Sequence, residues 1–206
     1  MQRIIDAVQV DPKHHKIEFE NEQVRVLRLI FGAGETSPEH EHPARLTIFL
    51  HDYQTTNRLA DGSIDRRQRP AGETEWRGPV KHVPYADVAY ENIQVEIKPR
   101  IAHLGVLTLP LDSVRVDPDH YKIGFENEYV RVVRISYGPK ERSAMHEHAA
   151  GVFVFITDFH GRFVRQDGTT VDERAKAGEV SWRTPATLRL ENLSEQPLKA
   201  ILVELK

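Results

Sequence analysis

Apolar residues in this chain come in short runs of strand length and not in helical stripes. Val24 to Phe31 and Val130 to Tyr137 are rich in β-branched residues, with single arginines between them. Shorter apolar runs follow at Leu46 to Leu50 and at Val152 to Ile156. No window of helical length has apolar residues repeating every 3.6 positions. The pattern therefore predicts an all-β protein.

Turn signals separate these runs. Asp61-Gly62 and Asp167-Gly168 are dipeptides typical of tight turns between antiparallel strands. Ile93 to Ile97 and Ala200 to Leu205 are each predicted to be a closing strand. Many short strands with regularly spaced turns predict a β-sandwich or a β-barrel.

The chain contains an internal repeat. Val8 to His82 aligns without a gap to Val114 to Leu188, 106 positions later, with 32 identities in 75 positions. Unrelated sequences of ordinary composition would give about four or five. Beyond this stretch the offset becomes 108, so the first copy is two residues shorter in its last loop. We therefore predict two domains of one fold, residues 1–100 and 107–206.

Composition excludes several functional classes. The 206 residues carry a formal charge of −3 and no cysteine, which removes disulfides and thiolate metal sites and gives no basic patch for nucleic acid. Asp6 interrupts the N-terminal apolar residues, and no stretch has the roughly 20 apolar residues of a membrane helix. We expect a cytoplasmic protein without nucleic-acid or membrane partners.

Two histidines in each copy indicate metal chemistry. His40 and His42 are separated by one residue, as are His146 and His148. Alternate residues of a strand face the same side, so each pair points two imidazoles in one direction. Two imidazoles are half of a metal site, and further ligands must come from elsewhere in the fold.

The surrounding motifs resemble those of the cupin superfamily. In the first copy, Gly32 and the H-x-H pair precede Ala71-Gly72-Glu73, Trp76 and His82, and the second copy repeats this order as far as Trp182. The likeness covers nearly the whole chain and is loosely closest to small cupins linked to β-alanine degradation. It implies two tandem cupin barrels (jelly-roll, RmlC-like), with a metal bound by the H-x-H pair, a later histidine and usually a glutamate.

This resemblance predicts one complete and one degenerate site. The later histidine falls on His82 in the first copy but on Leu188 in the second. The usual glutamate would fall on Leu46 or Thr47 in the first copy and on Val152 or Phe153 in the second. We predict a metal on His40, His42 and His82, and weak or vestigial binding by His146 and His148.

Three imidazoles suit a divalent transition metal, with zinc or Fe(II) expected first and nickel or copper as alternatives. The expected ligand is a small molecule. A carboxylate would suit Arg77, and Thr47 is a second candidate for substrate binding. The resemblance to three-histidine cupins favours a metal-dependent enzyme, dioxygenase-like or lyase-like. Non-catalytic binding or sensing of a small ligand remains the main alternative. A metal-free sugar-converting barrel ranks last, because no acid–base pair is apparent. A homodimer of the two-domain chain is a further expectation.

Overall fold

The computed structural model describes residues 5–98 and 107–206. The chain divides into two units, Met1–Ile101 and Ala102–Lys206. In the described parts, the two helices have four residues each, and neither has the length or apolarity to cross a bilayer. All strand pairing within the sheets is antiparallel, as the sequence pattern predicts for an all-β protein.

The first unit begins with a short helix that Asp6 caps through its side chain, which accepts from the Val8 and Gln9 amides. Two sheets follow, with strand orders β1-β2-β9-β4-β7 and β3-β8-β5-β6. The elements are α1 (Ala7–Val10), β1 (His15–Glu20), β2 (Val24–Phe31), β3 (His40–His42), β4 (Arg45–Phe49), β5 (Tyr53–Leu59), β6 (Ile64–Arg69), β7 (Thr74–Arg77), β8 (Val80–Ala86) and β9 (Tyr90–Ile97).

The second unit repeats this arrangement element by element. Its sheets have the orders β10-β11-β18-β13-β16 and β12-β17-β14-β15. The elements are α2 (Ser113–Val116), β10 (Tyr121–Glu126), β11 (Val130–Tyr137), β12 (His146–His148), β13 (Gly151–Phe155), β14 (Phe159–Arg165), β15 (Thr170–Ala175), β16 (Val180–Arg183), β17 (Ala186–Asn192) and β18 (Leu198–Leu205).

The repeat extends to the turns and the cores. Gly62 and Gly168 both have a positive φ, at 83° and 85°, which suits glycine at these tight turns. The two-residue difference lies in the last loop, at 87–89 in the first unit and 193–197 in the second. In each unit the strands of the two sheets enclose a buried core, and the central strands β4 and β13 are buried along their whole length.

Candidate metal centre

The structure brings the three predicted histidines of the first unit together. His40 and His42 lie on β3, and their Nε2 atoms are 3.1 Å apart. His82 on the neighbouring strand β8 lies directly opposite His40 in the register. Its ring centroid is 4.8 Å from that of His40 and 5.6 Å from that of His42. All three side chains are buried.

A fourth histidine, which the sequence analysis missed, completes the cluster. His15 is the first residue of β1 and is 1% exposed. Its ring centroid lies 4.7 Å from that of His40 and 5.5 Å from that of His42. One candidate ligand atom from each of His15, His40 and His42 lies within 4.8 Å of the other two. The second copy has Tyr121 at the matching position, so the repeat itself contained a signal for this residue.

Hydrogen bonds fix the tautomer of three of these histidines. In each, Nδ1 faces an oxygen that can only accept, so Nδ1 carries the proton and Nε2 keeps a free lone pair. The pairs are His15 Nδ1 with the Asp11 carbonyl (3.2 Å), His40 Nδ1 with the Pro38 carbonyl (2.8 Å) and His42 Nδ1 with Glu96 Oε1 (3.0 Å).

Asn57 fixes the tautomer of His82. Its Nδ2 donates to the Asp65 carbonyl at 3.2 Å, which leaves Oδ1 to face His82 Nδ1 at 3.1 Å. An amide oxygen accepts, so His82 Nδ1 donates and His82 Nε2 has a free lone pair. Among the described residues, this buried Nε2 and that of His15 have no hydrogen-bond partner.

The four rings therefore line one cavity, and each has an unprotonated Nε2. Burial lowers the pKa of His15 to about 4 and that of His82 to about 2, and it also lowers the pKa values of His40 and His42. The rings are thus neutral near pH 7, which is the form that binds metals. Two nitrogens held at right angles by bonds of about 2.1 Å lie about 3 Å apart. The donor set fits a divalent cation.

The histidines line a small polar cavity of about 20 Å³. This volume holds an ion or a water molecule with little to spare. Both predicted ligand-binding residues, Thr47 on β4 and Arg77 on β7, lie in its wall. Any substrate that enters together with a metal must present only a few atoms to the metal.

Arg45 adds a buried positive charge without an ion pair to this wall, and its Nη1 donates to the Pro43 carbonyl at 3.3 Å. It is 1% exposed and lies directly across from Arg77 in the register of β4 and β7. Arg77 has an ion pair with Asp65 at 3.2 Å, but Arg45 has none with any described residue, and its buried Nε has no partner. Burial and then Arg77 lower the pKa of Arg45 to about 10, so it is still charged at neutral pH. A buried charge without a counter-ion is costly, and this geometry favours an anion beside the histidines.

Comparison with known proteins finds the fold among solved structures. AerE from Microcystis aeruginosa has a TM-score of 0.65 at 12% identity, covering 98% of this chain and 97% of that one. A cupin 2 conserved barrel domain protein from Leptotrichia buccalis has a TM-score of 0.57 at 12% identity, covering 93% and 88%. The Bacillus subtilis oxalate decarboxylase, described with Mn(II) centres, has a TM-score of 0.58 at 12% identity, covering 89% and 69%.

The chain has a tandem cupin fold. No family model and no curated protein matches its sequence. The fold predicted from the motifs is confirmed, whereas nothing here tests the likeness to cupins linked to β-alanine degradation, which stays a prediction.

The second cupin barrel keeps half of the histidine arrangement. The Nε2 atoms of His146 and His148 are 3.0 Å apart, and His146 Nδ1 donates to the Ala144 carbonyl at 2.8 Å. Leu188 lies opposite His146, and Tyr121 replaces the fourth histidine with a phenol ring against both imidazoles. Of the four-histidine arrangement, His146 and His148 are the two members present among the described residues of this barrel, and whether they bind a metal stays a prediction.

Proposed function

We propose that the first cupin barrel holds a divalent transition metal on His40, His42 and His82, with His15 as a fourth ligand. The observation that carries this proposal is that four buried histidine rings line one cavity, each with its Nδ1 hydrogen-bonded and its Nε2 unprotonated. An all-imidazole site suits zinc, Fe(II), nickel or copper. The Mn(II) centres of the B. subtilis oxalate decarboxylase add manganese to the metals worth testing.

We further propose that the metal and Arg45 together bind a small carboxylate. A guanidinium pairs well with a carboxylate, and Arg45 has no ion pair with any described residue, although Glu96 lies opposite it in the register. Arg77 and Thr47 on the same wall would orient the bound group. The likeness to an enzyme named for oxalate, itself a small dicarboxylate, supports this substrate class.

The activity that best fits this arrangement is metal-dependent conversion of a small carboxylate, lyase-like or dioxygenase-like. The metal would supply Lewis-acid chemistry or, as Fe(II), oxygen chemistry. The protein would hold the substrate carboxylate on Arg45, keep water out of the narrow cavity, and keep four ligands neutral by burial. Their Nδ1 partners would hold the imidazoles in the metal-binding orientation.

One observation favours the alternative of binding without turnover. Glu75, a carboxylate in the cavity wall, is engaged by Arg67 at 2.5 Å and by Arg69 at 2.6 Å. Among the described residues that line the cavity, Glu75 is the only carboxylate, and these two ion pairs already engage it. Unless a metal-bound group carries out the proton transfer that a reaction requires, the site would bind its ligand and release it unchanged, as a sensor does.

Metal analysis of the purified chain tests the proposal. We expect one metal ion per chain in the wild type, and a loss of affinity of at least about tenfold in His82→Leu, which copies the second barrel at this position. The control is His51→Leu, at an exposed histidine outside the cavity, which should keep the metal. Equal metal content in all three proteins would remove His82 from the site.

Oxalate and malonate then separate enzyme from binding protein. Incubation with metal-loaded protein, with and without oxygen, should consume one of them if the site is catalytic. Recovery of both compounds unchanged, with saturable binding that requires Arg45, would favour the sensor. Absence of binding by any small carboxylate would contradict the proposed substrate class while leaving the metal site standing.

A further inference from the structure

The cavity beside the H-x-H strand of the second cupin barrel is much larger than the cavity at the histidine cluster of the first. Its volume is about 230 Å³, against about 20 Å³ at the histidine cluster of the first barrel. An engineered apolar cavity of about 150 Å³ is large enough to bind benzene. The second barrel therefore has room for a substituted aromatic ring.

Apolar side chains replace the polar wall of the first barrel. Five residues that line this cavity are apolar where the first unit has polar residues. The replacements are Phe163 for Asn57, Leu188 for His82, Leu202 for Gln94, Phe153 for Thr47 and Val171 for Asp65.

Arg183, the less exposed of the two arginines in this wall, has a counter-ion. Arg183 donates to both carboxylate oxygens of Glu173, at 3.0 and 2.6 Å, and its guanidinium lies 5.2 Å from the ring centroid of Phe153. Gly151 occupies the position of Arg45, so the unpaired arginine of the first barrel has no counterpart here. Arg165 also lines the cavity but is solvent-exposed, so water screens its charge. In the less exposed part of the wall an anion would find no unpaired positive partner, and a neutral ligand needs none.

We propose that the second barrel binds an uncharged aromatic molecule of one ring, bearing at most one hydroxyl. The aromatic side chains of Phe153, Phe163 and Trp182 provide edges and faces for the ring. His148 and Thr184 are polar groups in the wall that can bond a single hydroxyl. Val171 is 49% exposed at the rim, which gives the ligand a way in.

Fluorine NMR with two probes tests this site. 4-Fluorophenol is neutral at pH 7 and 4-fluorobenzoate is an anion of similar shape. We expect line broadening of the phenol at millimolar concentration, displaced by unlabelled phenol, and binding of the benzoate at least about tenfold weaker, because its carboxylate loses water without gaining a partner.

A matched pair of variants locates the binding. Ala186→Phe fills the cavity from β17 and should weaken phenol binding at least about tenfold. Val80→Phe is the same change at the matching position of the first barrel and should leave it unaltered. Thermal melts of both variants check that each remains folded. Absence of wild-type broadening, equal binding of the benzoate, or unchanged binding by folded Ala186→Phe would each overturn the proposal.

Discussion

Leu188 occupies in the second cupin barrel the register position that His82 holds in the first, directly opposite the first histidine of the H-x-H strand. Tyr121 occupies in the second copy the sequence position that His15 occupies in the first. The two barrels therefore share a fold but differ in their interiors. The first has a small polar cavity lined by four imidazoles, and the second has a larger, more apolar cavity whose wall includes His148. The second barrel therefore supplies natural replacements with which to test the first.

Replacing Arg45 should separate stability from ligand binding. Arg45→Met removes a buried charge that has no ion pair among the described residues, and we expect it to stabilise the first unit by about 1 kcal/mol or more. The same change should weaken carboxylate binding while the metal stays. Chemical denaturation and calorimetric titration with oxalate measure the two effects. A large loss of stability with unchanged oxalate affinity would show that Arg45 has a structural partner instead.

His15→Tyr should weaken the metal site without abolishing it. Three imidazoles remain, so we expect affinity to fall by about 10- to 100-fold and the spectrum of a cobalt-substituted site to change, because one ligand is lost. Lys16→Tyr, at the adjacent exposed position of β1, is the control and should change neither. An unaltered cobalt spectrum in His15→Tyr would place His15 outside the metal's ligand set.

Glu96 should act on the metal through His42. Glu96 accepts from His42 Nδ1 at 3.0 Å and from Arg25 Nε at 2.7 Å, and Glu204 makes the matching contacts in the second barrel. Glu96→Gln weakens the acceptor that orients the imidazole, so metal affinity should fall about 10- to 100-fold. Glu204→Gln should cost similar stability and leave metal affinity unchanged. Equal metal affinities in the two variants would contradict this role of Glu96.

Acid should destabilise the metal-free first barrel. The pKa values of His15 and His82, about 4 and about 2 in the folded chain, lie below the roughly 6.5 of an unfolded one. The unfolded state therefore binds more protons between pH 6.5 and 4, and the free energy of unfolding falls as pH is lowered through this window. Each such histidine contributes about 1.4 kcal/mol per pH unit.

Fluorescence of Trp76 in a Trp182→Phe background follows unfolding of the first unit alone, since these are the two tryptophans of the chain. His82→Leu removes one titrating group and should reduce the pH slope by about one proton. An identical slope in the two proteins would mean that His82 is not held neutral by burial.

The fold could be predicted from the sequence because its evidence is local and repeated. Strand-length apolar runs, Asp-Gly turns and a 106-residue repeat each depend on residues near one another in the chain. The pairing of His40 and His42 could also be predicted, because alternation along one strand places both rings on one side. Motif resemblance supplied His82, which no local pattern connects to β3.

His15 and Arg45 could not be found in this way. His15 lies on β1, far along the chain from β3, and its neighbour His14 is shared by both copies, so a histidine pair there had no obvious meaning. An arginine at the start of an apolar strand is ordinarily solvated, and only packing shows that Arg45 is buried. Both positions differ between the copies, with Tyr121 in place of His15 and Gly151 in place of Arg45. Such differences between two otherwise similar copies are the sequence signal that points to these residues.

Anomalous diffraction from crystals of the metal-loaded protein tests the central claim most directly. Our account predicts a peak in the first barrel at about 2.0–2.3 Å from the Nε2 atoms of His40, His42 and His82, with His15 Nε2 within the same shell. A peak bound through any Nδ1, or a fully loaded protein whose metal lies away from these four rings, would contradict it.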